Sequence, residues 1–134
     1  MPLGDTDFRS RFFTLQLAGD DSEITAIRFS ESHLSEEDNI EILGTELFSL
    51  VEKYHRDKII LNTEVVEYVT SSVLGKIITL HRKLRRIDGR LVLCGVRNTF
   101  ADVLRTSRLF DYFEIVDTFD DAIAAFSSDP PDEG

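Results

Sequence analysis

A single cysteine, Cys94, in 134 residues excludes an internal disulfide framework and cannot supply a cysteine-rich metal site. The three histidines, His33, His55 and His81, fall on different expected elements with no i, i+4 pair to grip a metal, so surface or helix-end positions account for them. Glycine is sparse too: the seven glycines form no phosphate-cradling cluster, and Val69-Thr-Ser-Ser-Val73 lacks both glycines of a Gly-x-Ser-x-Gly nucleophile elbow. No apolar run approaches the roughly 18 residues of a membrane span, and Met1-Pro-Leu-Gly-Asp-Thr-Asp7 lacks the basic-then-apolar pattern of a signal peptide. A cytoplasmic protein without a cofactor, and not an enzyme, is therefore expected. Positive charge is also short. Fifteen Lys and Arg against 25 Asp and Glu leave a net charge of −10, which argues against nucleic acid and anionic membrane as partners and favours basic protein surfaces. Against that background Lys76, His81-Arg82-Lys83 and Arg85-Arg86 form a local basic run that reads as a solvated helix face, with a docking patch for an acidic partner as the other reading.

What is present is an alternation. Phe12-Phe-Thr-Leu-Gln-Leu-Ala18 and Ile24-Thr-Ala-Ile-Arg-Phe29 are β-rich runs flanking the polar turn Gly19-Asp-Asp-Ser-Glu23, which predicts an antiparallel opening pair. Ser35-Glu-Glu-Asp38 has the spacing of a capping box, and Ile40, Leu43, Leu47, Leu50, Val51 and Tyr54 recur at helical spacing, predicting a helix over about 36–55. Lys58-Ile-Ile-Leu-Asn62 reads as a buried strand, and Val73, Ile77, Leu80, Leu84 and Ile87 as one stripe of a second helix closed by Asp88-Gly89. Arg90-Leu-Val-Leu-Cys-Gly95 is a further apolar strand, in which Cys94 is a small core residue rather than a reactive thiol. Asn98 can cap a helix carrying Phe100, Val103 and Leu104, and Tyr112-Phe-Glu-Ile-Val116 is a strand. Thr118 and Asp121 make a second capping box, before a last helix carrying Ile123 and Phe126. Strand and helix in alternation demand crossover connections. The expectation is one α/β domain over 1–126, with a mixed, mostly parallel sheet, an opening antiparallel hairpin, about four helices, and a disordered acidic tail over 127–134.

The informative stretch is Asn62-Thr-Glu-Val-Val-Glu-Tyr-Val-Thr-Ser-Ser-Val-Leu-Gly75, which joins a strand to the second helix through several hydroxyl residues. In an open α/β sheet, partners meet the loops at the carboxyl ends of the strands, and a helix amino terminus adds free amides and partial positive charge. Ser71 or Ser72 is placed there for a phosphoryl group, which brings roughly −1.5 to −2 charges. The plainer reading is that Thr70, Ser71 and Ser72 only cap the helix.

Over about 12–126 the order of elements resembles the STAS domain, the fold of bacterial anti-sigma factor antagonists. The matching segments are Val66-Glu-Tyr-Val-Thr-Ser-Ser-Val-Leu-Gly75, Gly89-Arg-Leu-Val-Leu-Cys94, Val103-Leu-Arg-Thr-Ser-Arg-Leu-Phe110 and Asp121-Ala-Ile-Ala-Ala-Phe126. In that family the motif is Asp-Ser-Ser/Thr-Gly-Leu-Gly, and the serine after the Asp is phosphorylated by a kinase that is itself the anti-sigma factor. Carried over by position, the acceptor is Ser71, with Ser72 and Thr70 as alternatives. Leu74 and Gly75 match the motif, whereas Thr70 stands at its Asp and Val73 at its Gly. The family's Gly-Glu-apolar-Asp element reads here as Ser30-Glu-Ser-His-Leu34. These departures mark a divergent branch with its own partner, or a constitutive binder.

The resemblance implies a monomer or weak dimer that captures an anti-sigma factor with kinase activity, through Thr70, Ser72, Val73, Leu74, Lys76, Arg97 and Asn98 around Ser71. The same fold also serves as a scaffold or accessory subunit of signalling or transport complexes, and as a small-ligand binder, so fold alone does not choose. Asp20-Asp21 is placed like the acidic pair of a response-regulator receiver. No Asp closes 58–62, however, and no Lys follows 91–95, so a polar hairpin turn accounts for the pair.

Overall fold

The computed structural model describes residues 10–31, 33–34 and 37–127; Ser35 of the first expected capping box and the expected tail beyond Ser127 lie outside them. In chain order the elements are β1 (Phe13–Ala18), β2 (Ile24–Phe29), β3 (His33–Leu34), α1 (Glu37–Glu52), β4 (Lys58–Asn62) and β5 (Tyr68–Val69), followed by α2 (Ser71–Arg86), β6 (Arg90–Cys94), α3 (Asn98–Thr106), β7 (Glu114–Val116) and α4 (Phe119–Ala125).

The main sheet runs β1-β2-β4-β6-β7, antiparallel at β1–β2 and parallel thereafter, as the alternation predicts. Successive strand side chains alternate between faces, and the two hydrophobic clusters divide accordingly. Ile27, Phe29, Ile59, Leu61, Leu91 and Leu93 meet α1, α2 and α3 on one face. Ile24, Ala26, Ile60, Val92 and Cys94 meet Ala122 of α4 on the other. Burial on both faces is why β4 and β6 read as continuous apolar runs.

The hairpin turn is set by Gly19 at φ 89, with the Glu23 carboxylate folded over it and accepting from the Asp21 amide at 2.9 Å. The bond from its own amide, and after it the bond from the Asp21 amide, hold the Glu23 carboxyl below its ordinary range. Asp20 and Asp21 therefore belong to a turn at the amino ends of the parallel strands.

Several side chains depart from the sequence reading. Ile87 follows the last turn of α2 as its cap and is 48% exposed, so it does not continue the buried stripe. The chain reverses there with Asp88 at φ 58, and the Gly89 amide donates to the Leu84 carbonyl at 2.7 Å. A Cβ on Gly89 would lie 2.6 Å from the Asp57 carbonyl oxygen, which explains the glycine. His81 is buried within the basic run instead of solvated. Its ring stands edge-on to Tyr112 and Phe113, at centroid distances of 5.0 and 5.5 Å. These two aromatics pack on α2 before β7 begins, which shortens the strand expected over 112–116. His55 is exposed just after α1.

Candidate functional site

β4 and β6 are parallel neighbours, so the connections that follow them emerge side by side at the same end of the sheet. The first is held down at its root. Thr63 is fully buried, and both its amide and its hydroxyl donate to the Cys94 carbonyl, at 2.9 and 3.1 Å. The buried Asn62 accepts from the Glu64 amide at 3.1 Å, and the Val66 amide donates to the Thr63 carbonyl at 2.9 Å. This turn crosses directly over Gly95, whose φ is 70 and where a Cβ would lie 3.0 Å from the backbone of Glu64. A side chain at 95 would lift the turn, and it is a position whose role periodicity could not reveal; a glycine ending an apolar strand is the one signal.

The chain then forms β5, which pairs in parallel with β3 as a separate two-stranded sheet. The pairing ties the connection after β2 to the approach to α2. Thr70 follows as the amino-terminal cap of α2, extended at φ −86 and ψ 166, with its Oγ1 accepting from the Val73 amide at 3.3 Å. Replacing Thr70 with Ala is expected to cost about 1 kcal/mol. Urea unfolding would show it as a lower midpoint, with Ser71→Ala nearly silent by comparison.

Because Thr70 does the capping, the hydroxyls of Ser71 and Ser72 are left on the surface, and both residues are exposed. Val73 and Leu74 correct the partner-binding expectation: they are 0% and 6% exposed, turned into the core, and anchor the start of α2 rather than offering contact surface. Lys76 is half-buried and ion-paired to Glu41 of α1 at 3.1 Å, so much of its charge is already answered. Gly75 is exposed, with nothing within 4 Å of a built Cβ. At the neighbouring junction Arg97 and Asn98 are exposed beside the start of α3. Asn98 does not cap: Arg97 holds the cap position without a side-chain hydrogen bond, and Asn98 sits at φ 56, a conformation asparagine tolerates better than most residues. The expected Thr118 cap of α4 is present, accepting from the Asp121 amide at 3.1 Å.

Cys94 lies fully buried beneath this end of the sheet. Burial pushes its thiol up to about 11, with the nearby Glu64 carboxylate adding to the effect. The folded state thus keeps a proton that an unfolded thiol, with an ordinary value of 9.0, releases first. Stability should therefore be undiminished below about 9 and fall as pH rises from 9.0 toward about 11. Urea titrations across that window should show a falling midpoint, and native Cys94 should resist alkylation until the chain is denatured.

Among the described residues no group of three or more His, Cys, Asp and Glu is placed to hold a metal, and no helix is long and apolar enough to cross a membrane. An open depression of about 390 Å³, lined by Arg105, Arg108, Phe110 and Asp111, lies at the carboxyl end of α3, away from Ser71.

A model of the STAS domain matches residues 5–122. The chain belongs to the STAS domain family. BtrV of Bordetella bronchiseptica, a protein named as an anti-sigma factor antagonist, is 29% identical over 93 residues, spanning 69% of this chain and 79% of BtrV. Among solved structures, an anti-sigma-factor antagonist (STAS) domain protein from Planctomyces limnophilus superposes with a TM-score of 0.72 at 18% identity, covering 84% of this STAS chain and 95% of its own. The Bacillus cell fate determinant SpoIIAA in its phosphorylated form superposes with a TM-score of 0.67 at 23% identity, covering 85% and 98%. At these identities the structural likeness establishes the fold of this STAS domain.

Proposed function

We propose that this STAS domain is an anti-sigma factor antagonist-like regulatory module that captures a protein partner, an anti-sigma factor or kinase, on the surface around the start of α2, and that Ser71 is its phosphoacceptor. The observation that carries this reading is the division of labour among three adjacent hydroxyls: Thr70 caps α2, while Ser71 and Ser72 stay exposed. A phosphate on Ser71 would sit at the positive end of a 16-residue helix, so the modification is tolerated by the fold while it alters the surface. The chemistry needed of this domain is binding, not catalysis, and its partner carries the kinase activity.

A second reading is a constitutive scaffold or accessory subunit. It is favoured by Val73, whose buried side chain occupies the position of the motif glycine, and by Thr70 at the position of the motif Asp. Capture from lysate of the source cell with wild type and Ser71→Asp, with mass spectrometry on the captured proteins and the bait, separates the two. A kinase-type partner retained by wild type and lost with Ser71→Asp supports the switch. Identical partners on both baits, with no phosphate at Thr70, Ser71 or Ser72, would overturn it in favour of the scaffold. Phosphate mapped only to Ser72 would move the acceptor by one residue.

A further inference from the structure

β1 ends the sheet, and among the described residues no strand lies outside it. Edge strands in soluble proteins are usually blunted by a charged side chain, a proline, a bulge or shortness. The sequence Phe-Thr-Leu-Gln-Leu-Ala of β1 carries no charge and no proline, and it pairs with β2 in unbroken register over all six residues. The opposite edge, β7, has only three residues, and Arg90 of β6 clamps its Glu114 through two hydrogen bonds of 2.7 and 2.6 Å.

The hydrogen-bonding phase of β1 can be read from one bond. The Ser30 amide donates to the Phe12 carbonyl at 2.9 Å, one step beyond the pair Phe13–Phe29. In an antiparallel ladder bonded and non-bonded pairs alternate, so Thr14, Gln16 and Ala18 direct their backbone groups to β2, while Leu15 and Leu17 direct theirs outward. The Leu15 and Leu17 side chains lie half-buried at the rim of the core shared with α1, and Thr14 and Gln16 are exposed on the other face.

We propose that β1 is a self-association strand, which pairs antiparallel with β1 of a second copy about a two-fold axis at Gln16. In that register Leu15 of each copy exchanges backbone hydrogen bonds with Leu17 of the other, which uses the outward-facing groups of both. The four leucines fall on one face and continue the core across the dyad, while Thr14 meets Ala18 and Gln16 meets Gln16 on the other. The ends complement each other in charge. Arg11, exposed just before the strand and bonded within the chain to Asn39, and Asp21, exposed in the turn after the strand, lie at opposite ends of β1, so an antiparallel second copy brings each toward the other, and the symmetry repeats the pair. This contact uses no residue of α2 and stands independently of Ser71.

Sedimentation across a concentration series, together with hydrogen exchange on wild-type protein, tests the inference. A concentration-dependent doubling of mass is expected, with the Leu15 and Leu17 amides slowing as dimer forms and the Thr14, Gln16 and Ala18 amides already slow in the monomer. Gln16→Lys places like charges face to face at the dyad and should weaken the dimer about tenfold or more. Asp21→Arg should weaken it as well, and adding Arg11→Asp should restore it. A monomer at millimolar concentration, a dimer indifferent to Gln16→Lys, or Leu15 and Leu17 amides that ignore concentration would overturn the inference. Failure of the double charge swap to restore the dimer would overturn the register.

Discussion

Phosphorylation of Ser71 is expected to weaken capture of the partner by more than a hundredfold, equivalent to ~3 kcal/mol. The size follows from where the charge goes. Ser71 is exposed at the start of α2, so its hydroxyl lies at the centre of the proposed contact and must lose water when a partner closes over it. A neutral hydroxyl loses little in that step. A phosphate loses the hydration of nearly two charges, and Glu64 and Glu67, exposed on the connection that leads into α2, add negative charge to that stretch of chain. Ser71→Asp carries one charge instead of nearly two and should lose about tenfold or more, with Ser71→Ala retaining wild-type affinity. Calorimetric titration of the captured partner with wild type, phosphoprotein and both variants gives the order directly. Equal affinity for the phosphorylated and unphosphorylated forms would sink the switch while leaving the fold assignment intact.

Truncation of Phe29 to Ala is expected to cost about 3–5 kcal/mol, enough to unfold much of a marginal domain. Phe29 is 1% exposed and ends β2, where its ring meets Phe13 of β1 edge-on at a centroid distance of 6.3 Å. Its removal leaves a cavity between the hairpin and the helices of the larger cluster, and the backbone on both sides is pinned by the ladder, so collapse into the void is limited. Urea unfolding should show a much lower midpoint with the same slope. Thr14→Ala, at an exposed position on the neighbouring strand, is the control and should move the midpoint by a few tenths of a kcal/mol at most.

The strands most legible in the sequence were those whose burial is extreme. Lys58–Asn62 and Arg90–Cys94 lie under helices on both faces, so nearly every residue is apolar and both ends are abrupt. β3 and β5 were illegible because two residues carry no period, and their pairing is a tertiary event between segments 35 positions apart. His81 sat in a run of cations and so read as solvated, although its helical position faces Tyr112 and Phe113. Only the spacing from Ile77 and Leu84 hinted at burial. At the candidate site the exposure of Ser71 and Ser72 was foreseeable from their place before the apolar stripe. That stripe begins at Val73, which is why Val73 and Leu74 belong to the core instead of the contact surface.

The sheet order β1-β2-β4-β6-β7 never doubles back: each strand joins the edge left by the strand before it. A chain emerging from the ribosome amino end first can therefore lay down β1 and β2, add β4 under α1, and extend the sheet in one direction without holding a gap open for a later segment. Growth of this kind keeps the working edge close to the point of synthesis. It also means that Ser71, lying between β4 and β6 in the sequence, reaches its final surroundings only when the second half of the chain has been made, so an unfinished nascent domain has not yet built the proposed contact surface.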